Sequence, residues 1–290
     1  MTPTLSPRTL LFGLLGHPVG HSLSPSMHNA AFAALGIDAV YLAFDVEPGR
    51  LADALTGSRA LGVAGWNVTV PHKEAALALA AEADRQAELV GAANTLVPVR
   101  AGWRAHNTDV DGFARALAED LGFRPEGRRC WIWGAGGAAR AAVVALASGG
   151  AQEIRVMNRN ATRARLLADE LGSRLGSTRV AAEDLAAFAA RPGDLVVSAT
   201  PAGLSDDASW PWDLGSCQEL FVYDMAYRRG AETPLVVQAR ALGHRAASGR
   251  SMLLHQGAEA FRLWTGREPP VDAMARAMEP PVPKPHGSSG

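Results

Sequence analysis

The sequence predicts an α/β protein built as two lobes, and three observations support that prediction. Apolar strand-like runs alternate with Ala/Leu-rich helix-like runs along most of the chain. This alternation favours parallel sheets, because parallel strands are joined by crossovers that usually contain a helix. A glycine-rich turn follows an apolar strand near the middle of the chain. The length of 290 residues suggests two domains, since a single core seldom grows to that size.

The alternation is clear over the first part of the chain. Pro25 suits the first position of a helix, Gly36 suits its end, and Pro71 ends a strand. Ser24 precedes Pro25 and is a possible N-cap. The stretch 95–109 predicts a hairpin. The predicted strands are 9–16, 39–46 and 63–70, and the predicted helices are 24–36, 50–62, 73–80 and 109–122.

The polar stretch 123–129 contains Gly and Pro and predicts a boundary between the two lobes. The same alternation resumes after it. The last residues, 279–290, lack apolar periodicity and predict a disordered tail. The predicted strands of this part are 130–137, 153–159, 195–200 and 220–227, and the predicted helices are 138–150, 161–172, 233–243 and 251–266.

Composition argues against several classes of protein. The net charge is −1 and like charges form no long block, which disfavours nucleic-acid or membrane-surface binding. No run of about 18 apolar residues predicts a membrane-spanning helix, and the apolar run Leu10 to Leu15 is too short for a signal peptide. Cys130 and Cys217 belong to no Cys/His cluster, so a cytoplasmic protein without disulfides is expected. The three histidines of 16–32 fit no zinc spacing, and no metal is expected.

The glycine-rich turn is a candidate nucleotide site. Gly134, Gly136 and Gly137 end an apolar strand and precede a helix, in the sequence CWIWGAGGAARA. In dinucleotide-binding folds such glycines allow a tight turn. They also let the backbone, here with Ala135 and Ala138, approach a pyrophosphate at the helix N-terminus. A plain tight strand–helix turn would use the same residues.

The next strand indicates which nucleotide such a site would bind. A site for NAD usually has an acidic residue near the end of that strand, which binds the ribose 2′-hydroxyl. Here the strand ends at Asn158 and Arg159, and Arg163 follows one turn into the helix. Because arginines bind a 2′-phosphate by charge-assisted hydrogen bonds, we expect NADP. The alternative is that both arginines only form a solvated helix start.

Lys73 is unusual in this chain, whose only other lysine is Lys284 among many arginines. An ammonium group can release a proton, whereas a guanidinium group does not deprotonate in proteins. Lys73 is therefore a candidate proton donor at the start of a helix. In the preceding strand, Asn67 and Thr69 point to the same side by two-residue alternation, and we expect them to face a substrate.

Seven stretches, in this order along the chain, resemble the motifs of the shikimate dehydrogenase family. The resemblance covers roughly residues 9–270. The stretches are GHPVGHSLSPSMHNAAF (16–32), NVTVPHK (67–73), GAANT (91–95), NTD (107–109), GAGGAARA (134–141), NRN (158–160) and MLLHQGAEAF (252–261).

The resemblance implies a fold and a reaction. In the family, an N-terminal α/β lobe binds substrate and a Rossmann-like lobe binds NADP. The active site lies in the deep cleft between them, and the C-terminal helix returns to the first lobe. This implies a substrate-binding domain over 1–110, completed by 246–278, and an NADP-binding domain over 111–245. The implied reaction is the reversible, NADP-dependent reduction of 3-dehydroshikimate to shikimate, in the route to chorismate and the aromatic amino acids.

The resemblance also assigns candidate site residues. Lys73 and Asp109 match the catalytic dyad of the family, in which the lysine is the general acid in reduction and the aspartate orients it. At the position of Ser198 the family more often has Asn. The residues that match substrate contacts are Ser22 and Ser24 for the carboxylate, Asn67, Thr69, Asn94 and Gln256 for the ring hydroxyls, and Tyr227; those that match the nicotinamide edge are Thr200, Met225, Gly249 and Met252.

Simpler roles remain open for some of these residues. Ser24 could serve only as a helix cap, and the carboxylate of Asp109 could serve only to complement a helix dipole. Met225 and Met252 could serve only to fill the core.

Two further functions remain open for the whole chain: a quinate/shikimate or aminoshikimate dehydrogenase, and a non-catalytic NADP-binding paralogue. Ser24 favours shikimate over quinate, and Asn158 with Arg159 favours NADP over NAD. The presence of Lys73 and Asp109 argues against a non-catalytic protein. The expected ligands are small molecules, and the chain is expected to be a monomer or a homodimer.

Overall fold

The structure, a computed structural model, describes residues 5–279. These residues form two six-stranded sheets with helices packed against them. The predicted tail, apart from Glu279, lies outside the described residues, as does Lys284. Within 5–279 no helix combines the length and the apolar character needed to cross a bilayer.

Six strands form the first sheet: β1 (Leu10–Gly16), β2 (Ala39–Asp45), β3 (Gly65–Val68), β4 (Glu82–Ala83), β5 (Thr95–Val99) and β6 (Gly102–His106). Their order is β2-β1-β3-β5-β6-β4. Strands β2, β1 and β3 are parallel, whereas β5 is antiparallel to both β3 and β6, so the predicted hairpin is confirmed. The helices of this part are α1 (Ser24–Ala34), α2 (Leu51–Ala60), α3 (Lys73–Leu79), α4 (Arg85–Val90) and α5 (Asp109–Leu121).

The apolar strand β1 contributes to the cores on both faces of this sheet. Phe12 and Leu14 belong to a buried cluster with Met27 of α1, whereas Leu15 belongs to a second cluster with Leu55 of α2. Successive side chains of a strand point to opposite faces. A continuous apolar run is therefore the pattern expected of a strand covered on both sides.

Six parallel strands form the second sheet: β7 (Arg129–Trp133), β8 (Glu153–Met157), β9 (Arg179–Ala182), β10 (Leu195–Ser198), β11 (Phe221–Asp224) and β12 (Arg245–Ser248). Their order, β12-β11-β10-β7-β8-β9, is the doubly wound order of dinucleotide-binding folds, with the order reversing beside β7. The later helices are α6 (Gly137–Ser148), α7 (Ala161–Arg174), α8 (Pro234–Ala241), α9 (Arg250–Thr265) and α10 (Val271–Ala277).

Several short elements lack a prediction from the sequence. Strands β4, β9 and β12 and helices α4 and α10 have no counterpart among the predicted elements. Strands β9 and β12 read RVAA and RAAS, and Val180 is the one residue in them of the β-branched and aromatic types that favour strands. Pairing with neighbouring strands, rather than local propensity, therefore makes these segments extended.

Two predicted boundaries and one predicted cap differ from the structure. The strand predicted over 130–137 ends at Trp133, because the glycine-rich turn begins directly after it. Strand β12 pairs with β11, so residues 246–248 lie in the second sheet and not with the first lobe as predicted. The N-cap role of Ser24 is wrong: Leu23 is the N-cap of α1 and Ser24 is its first residue.

The last two helices pack against the first sheet. Phe261 of α9 and Met274 of α10 lie in the same buried cluster as Phe12. The indole N–H of Trp264 donates to the carbonyl oxygen of Leu96 in β5 at 3.1 Å. The chain thus leaves the first sheet, builds the second and returns to the first.

Helix α9 approaches α5 closely at Gly112. A Cβ at Gly112 would lie 2.9 Å from Cβ of Gln256 and 3.1 Å from the carbonyl oxygen of Met252. Backbone atoms cannot rotate away, so a larger residue at 112 must separate the two helices.

We predict that Gly112→Ala lowers the free energy of unfolding by about 1–3 kcal/mol, because it overpacks the α5–α9 contact. The matched control is Gly57→Ala in α2, where no described atom lies within 4 Å of the added Cβ. That change should raise stability by about 0.5–1 kcal/mol, since alanine favours helix over glycine. Urea unfolding of both variants measures the effect, and equal shifts of the same sign would contradict it.

Candidate active site

Lys73 and Asp109 form a short, buried ion pair. The Lys73 Nζ donates to Asp109 Oδ2 at 2.5 Å, and the two side chains are 12% and 5% exposed. Lys73 is the first residue of α3, and Asp109 is the first residue of α5. The partial positive charge of a helix start stabilises the carboxylate and disfavours the ammonium. The Asp109 carboxylate is therefore stabilised by its helix start, whereas the Lys73 ammonium is stabilised mainly by Asp109.

Two asparagines fix the position of Asp109. The Oδ1 of Asn107 accepts from the backbone N–H of Asp109 at 3.1 Å, and its Nδ2 donates to the carbonyl of Ala92 at 2.8 Å. The Nδ2 of Asn94 donates to Asp109 Oδ1 at 2.9 Å. Each carboxylate oxygen of Asp109 thus has a donor, which holds its rotamer before any ligand binds.

Asn94 also joins this pair to helix α9. Its Nδ2 lies 3.2 Å from Oε1 of Gln256, a residue 162 positions away in the sequence. The Nε2 of Gln256 donates to the carbonyl of Leu253 at 2.8 Å, which fixes the orientation of the amide. The structure therefore brings the predicted residues Asn94 and Gln256 together with Lys73 and Asp109.

Asn67 and Thr69 have different surroundings at the end of β3. The Oδ1 of Asn67 accepts from the hydroxyl of Tyr41 at 2.8 Å, and its Nδ2 donates to Oγ1 of Thr95 at 3.1 Å. Thr69 lies just beyond the strand, half-buried, with its methyl carbon against Gly16. The Asn67 amide is thus held by a tyrosine that was not among the predicted site residues.

Ser22 and Ser24 lie beside two tyrosines, of which Tyr41 is fully buried and Tyr227 half-buried. The backbone N–H of Ser24 donates to Oγ of Ser22 at 3.2 Å. Burial raises the pKa of Tyr227, and this effect outweighs hydrogen bonds with the backbone of Leu23 and the side chain of Ser22, which lower it. Burial also raises the pKa of Tyr41 well above its ordinary value, and this effect outweighs a hydrogen bond with Ser24, which lowers it. Both phenols therefore stay protonated at neutral pH, and with the two serines they form a cluster of neutral hydroxyl donors.

The glycine-rich turn joins β7 to α6. Gly134 has φ +133°, and a Cβ there would lie 2.7 Å from the carbonyl oxygen of Ala199, so the turn passes close to the end of β10. At Gly136, no described atom lies within 4 Å of an added Cβ. A Cβ at Gly137 would lie 3.1 Å from Cβ of Lys73. The turn thus has open space beside Gly136 and contacts the aliphatic part of Lys73 at Gly137.

The start of α6 can accept an anion. Its N-cap is Gly136, and no side chain caps it. Ala135 and Ala138, the other predicted residues of the turn, are half-buried, and Ala135 packs against the core below. The first N–H groups of an uncapped helix carry partial positive charge and lack intrahelical partners, which suits a phosphate.

Asn158, Arg159 and Arg163 lie together after β8. The Nδ2 of Asn158 donates to the carbonyl of Asn160 at 3.1 Å, and Asn160 caps α7 by accepting from the backbone N–H of Arg163 at 3.2 Å. Both arginines are exposed, and neither forms an ion pair with any residue of 5–279. The cap fixes the backbone here and leaves two guanidinium groups without a carboxylate.

Four other predicted cofactor residues lie at the carboxyl edge of the second sheet. The hydroxyl oxygens of Thr200 and Ser198 are 3.3 Å apart, so Ser198 bonds within the protein at this position. A Cβ at Gly249 would collide with the carbonyl oxygen of Met225. Met225 and Met252 both pack against the core below the sheet. Both methionines therefore have a structural role in the core, whether or not they also contact a cofactor.

Comparison with known proteins identifies the family. The family model of the shikimate dehydrogenase substrate binding domain matches residues 14–96, that of shikimate/quinate 5-dehydrogenase matches 116–205, and that of the shikimate 5′-dehydrogenase C-terminal domain matches 249–279. A shikimate dehydrogenase (NADP(+)) of Methanopyrus kandleri is 47% identical over 276 residues, which cover 93% of this chain and 95% of that protein. The chain belongs to the shikimate dehydrogenase family.

Solved structures of shikimate dehydrogenases have the same fold. A shikimate dehydrogenase crystallised with NADP+ is 36% identical with a TM-score of 0.86, over 95% of this chain and 96% of that one. The enzyme of Thermus thermophilus, in complex with NADP(H) and shikimate, is 38% identical with a TM-score of 0.80, over 93% of this chain and 98% of that one. The predicted fold class, two α/β lobes of which the second is Rossmann-like, is confirmed.

Three residues of this family member were missed as site residues. Asn107 and Thr108 both precede Asp109 in the NTD motif, and Oγ1 of Thr108 accepts from Nδ2 of Asn94 at 2.9 Å. The motif itself was the signal for these two. Tyr41 lies in an apolar strand and is fully buried, so nothing in the sequence distinguished it from a core residue.

Within the described residues, no group of three or more His, Cys, Asp or Glu side chains is placed to hold a metal ion. The three histidines near the N-terminus lie in separate surroundings. His17 pairs with Asp45 at 2.6 Å, His21 is exposed, and His28 is fully buried.

His28 is a buried, neutral ring beside the hydroxyl cluster. It stacks on Tyr41 with ring centroids 4.5 Å apart and an interplanar angle of 12°. Neither of its ring nitrogens has a hydrogen-bond partner among the described residues. Burial lowers the pKa of His28 to about 3, and the nearby Asn67 side chain opposes that shift only in part.

His28 should make the fold sensitive to acid. Below pH 6.5 the unfolded chain protonates this histidine and the folded chain does not, so stability falls as pH falls toward 3. We predict that the free energy of unfolding falls less from pH 8 to pH 5 in His28→Phe than in wild type, by roughly 2 kcal/mol. The substituted ring still stacks on Tyr41. Urea unfolding at both pH values measures it.

The control for this experiment is His21→Asn, a change at an exposed position that should keep the wild-type difference between the two pH values. An unchanged pH dependence in His28→Phe would refute the assignment of the acid sensitivity to His28.

Proposed function

We propose that the protein catalyses the reversible, NADP-dependent reduction of 3-dehydroshikimate to shikimate. The observation that carries this is the buried Lys73–Asp109 pair, 2.5 Å apart, whose lysine stem packs on Gly137 of the nucleotide turn. A proton donor and a dinucleotide turn thus adjoin one another, as reduction of a ketone requires. Similarity over nearly the whole chain to NADP-dependent shikimate dehydrogenases supports the same reaction.

The protein would have to deliver a proton to one oxygen. The chemistry that NADPH would supply when bound is a hydride for the carbonyl carbon. As the carbonyl oxygen gains negative charge, the ammonium of Lys73 donates a proton to it, and in the oxidation direction the neutral amine accepts that proton. The same ammonium stabilises the developing oxyanion at short range.

Asp109 would orient the lysine and accept from a ring hydroxyl. One of its oxygens bonds Lys73 and the other bonds Asn94. Asn94, Asn67 and Gln256 are buried amides with orientations set by their neighbours. We propose that these three amides and Thr69 contact the hydroxyl groups of the substrate ring.

The hydroxyl cluster would bind the substrate carboxylate. Ser22, Ser24 and Tyr227 lie together, and neutral hydroxyl groups donate to an anion without bringing a competing cation. Asn67 and Tyr41 join this cluster to the ring-binding amides through one hydrogen bond of 2.8 Å.

The second sheet would bind NADP along its carboxyl edge. The backbone of Gly134, Ala135, Gly136, Gly137 and Ala138 would hold the pyrophosphate at the start of α6. Asn158, Arg159 and Arg163 would hold the adenosine end, with the two unpaired guanidinium groups on the 2′-phosphate. Thr200, Met225, Gly249 and Met252 would surround the nicotinamide.

We also propose a division into two domains. Residues 1–110 with 249–278 would form the substrate-binding domain, and 111–248 would form the NADP-binding domain, because strand β12 pairs within the second sheet. A cytoplasmic setting agrees with Cys130 and Cys217, which form no disulfide with each other. A monomer or a homodimer remains our expectation for the assembly.

The decisive assay measures oxidation of shikimate and of quinate with NADP and with NAD, by the absorbance of the reduced nicotinamide. We expect shikimate with NADP to have by far the highest kcat/KM of the four combinations. Turnover of quinate equal to that of shikimate would overturn the substrate assignment, and a preference for NAD would overturn the role of Arg159 and Arg163.

Lys73→Arg separates proton transfer from charge. The variant keeps a cation beside Asp109, but a guanidinium does not release its proton. We predict a fall in kcat of about 10²–10⁴-fold with a much smaller change in KM for shikimate. The control is Glu74→Gln, at the exposed next residue of α3, which should keep wild-type kcat. A Lys73→Arg variant with wild-type kcat would exclude Lys73 as the general acid.

A further inference from the structure

Arg140 is buried at the junction of three helices, and its hydrogen bond and ion pair are with residues outside the proposed active site. It lies on α6, three residues after Gly137, and is 8% exposed. Its Nε donates to the carbonyl of Val90 at the end of α4, at 2.5 Å. Its Nη2 pairs with Glu170 of α7 at 2.6 Å. One guanidinium group thus connects the first sheet's helix α4 with two helices of the second sheet.

The neighbouring residues are shaped around this guanidinium. Gly91 is the C-cap of α4 with φ +72°, a conformation that favours glycine. A Cβ at Gly91 would collide with the Arg140 Nη2. Glu170 also pairs with Arg174 at 3.1 Å, and Arg174 donates to the carbonyl of Glu88 at 3.2 Å. Arg140 and Arg174, which lie on helices of the second sheet, therefore both donate to carbonyl groups at the C-terminal end of α4. A helix carries partial negative charge at that end.

The segment after Val90 leads directly to the catalytic pair. The backbone N–H of Ala93 donates to the carbonyl of Lys73 at 2.8 Å. The next residue, Asn94, donates to Asp109 at 2.9 Å. A shift of residues 90–94 would therefore move both members of the pair.

Helix α6 also contacts Lys73 itself. A Cβ at Gly137, its first residue, would lie 3.1 Å from the Cβ and from the Cδ of Lys73. Helix α6, whose start is the proposed phosphate site, thus contacts Lys73 at Gly137. One turn later, its Arg140 binds the carbonyl of Val90, next to the segment that supports Lys73.

We propose that Arg140 is a positioning residue, which holds the cofactor-binding start of α6 in register with the segment 90–94 that carries Asn94 and supports Lys73. This proposal rests on the function proposed above. Hydride and proton must reach neighbouring atoms of one carbonyl group, and these two groups come from different sheets. A misplacement of about 1 Å between reacting groups can cost roughly 10²-fold in rate.

The test compares Arg140→Met with Arg129→Met. Arg129 is half-buried, with its side chain 14% exposed, and pairs with Asp194 at 2.6 Å. Arg129 begins β7 and Asp194 directly precedes β10, so this pair lies at the amino end of the strands, opposite the glycine-rich turn. Both changes should lower the melting temperature. Only Arg140→Met should lower kcat, by roughly ten- to a hundredfold, with KM for shikimate within about threefold of wild type. Arg140→Lys, which can reach one acceptor but not form the planar fork, should fall between Arg140→Met and wild type.

Hydrogen exchange at the Ala93 amide provides a readout that does not depend on activity. It should be faster in Arg140→Met than in wild type and unchanged in Arg129→Met. Wild-type kcat in Arg140→Met, or equal loss of kcat in both variants, would overturn the proposal, as would unchanged exchange at Ala93. Failure of the proposed function looks different, because wild-type protein itself would then not oxidise shikimate with NADP.

Discussion

The ion pair between Lys73 and Asp109 is the interaction on which the rest of the site depends. Removing two charges from water costs several kcal/mol per ion, and a pair recovers this only when its geometry and hydrogen bonds are good. The surroundings meet that requirement for the carboxylate. Asp109 has the start of α5, the amide of Asn94 and the ammonium as partners. Lys73, at a helix start, has the opposite setting, and Asp109 is its one ion-pair partner within residues 5–279.

Close backbone approach allows the two halves of the molecule to share this pair. At Gly137 the start of α6 meets the stem of Lys73, and at Gly112 helix α5 meets α9. Side chains at either position would separate elements that belong to different parts of the chain. The same logic applies at Gly91, where the absence of a side chain leaves room for the Arg140 guanidinium. The absence of a side chain at Gly137 therefore determines how near the nucleotide turn lies to the proton donor.

Residues that form continuous motifs were predictable, and residues that act through distant contacts were not. The turn 134–138 and the pair Asn158 and Arg159 follow strands directly, so their relation to a nucleotide can be inferred from local order. Tyr41 supports Asn67 from 26 residues away, and nothing local distinguishes it from a core tyrosine. Strand β12 exists because β11 lies beside it, since its sequence RAAS has little strand propensity of its own.

The sequence alone determined the alternation of strands and helices, the nucleotide turn, and the identity of Lys73 and Asp109 as a pair of candidates. These are local patterns, or motifs whose order along the chain is itself informative. Only the tertiary structure decided that Ser24 begins α1 instead of capping it, that residues 246–248 join the second sheet, and that Arg140 connects α4 to α6 and α7. Caps, strand pairing and buried ion pairs depend on which segments meet in space, and residue order does not specify that.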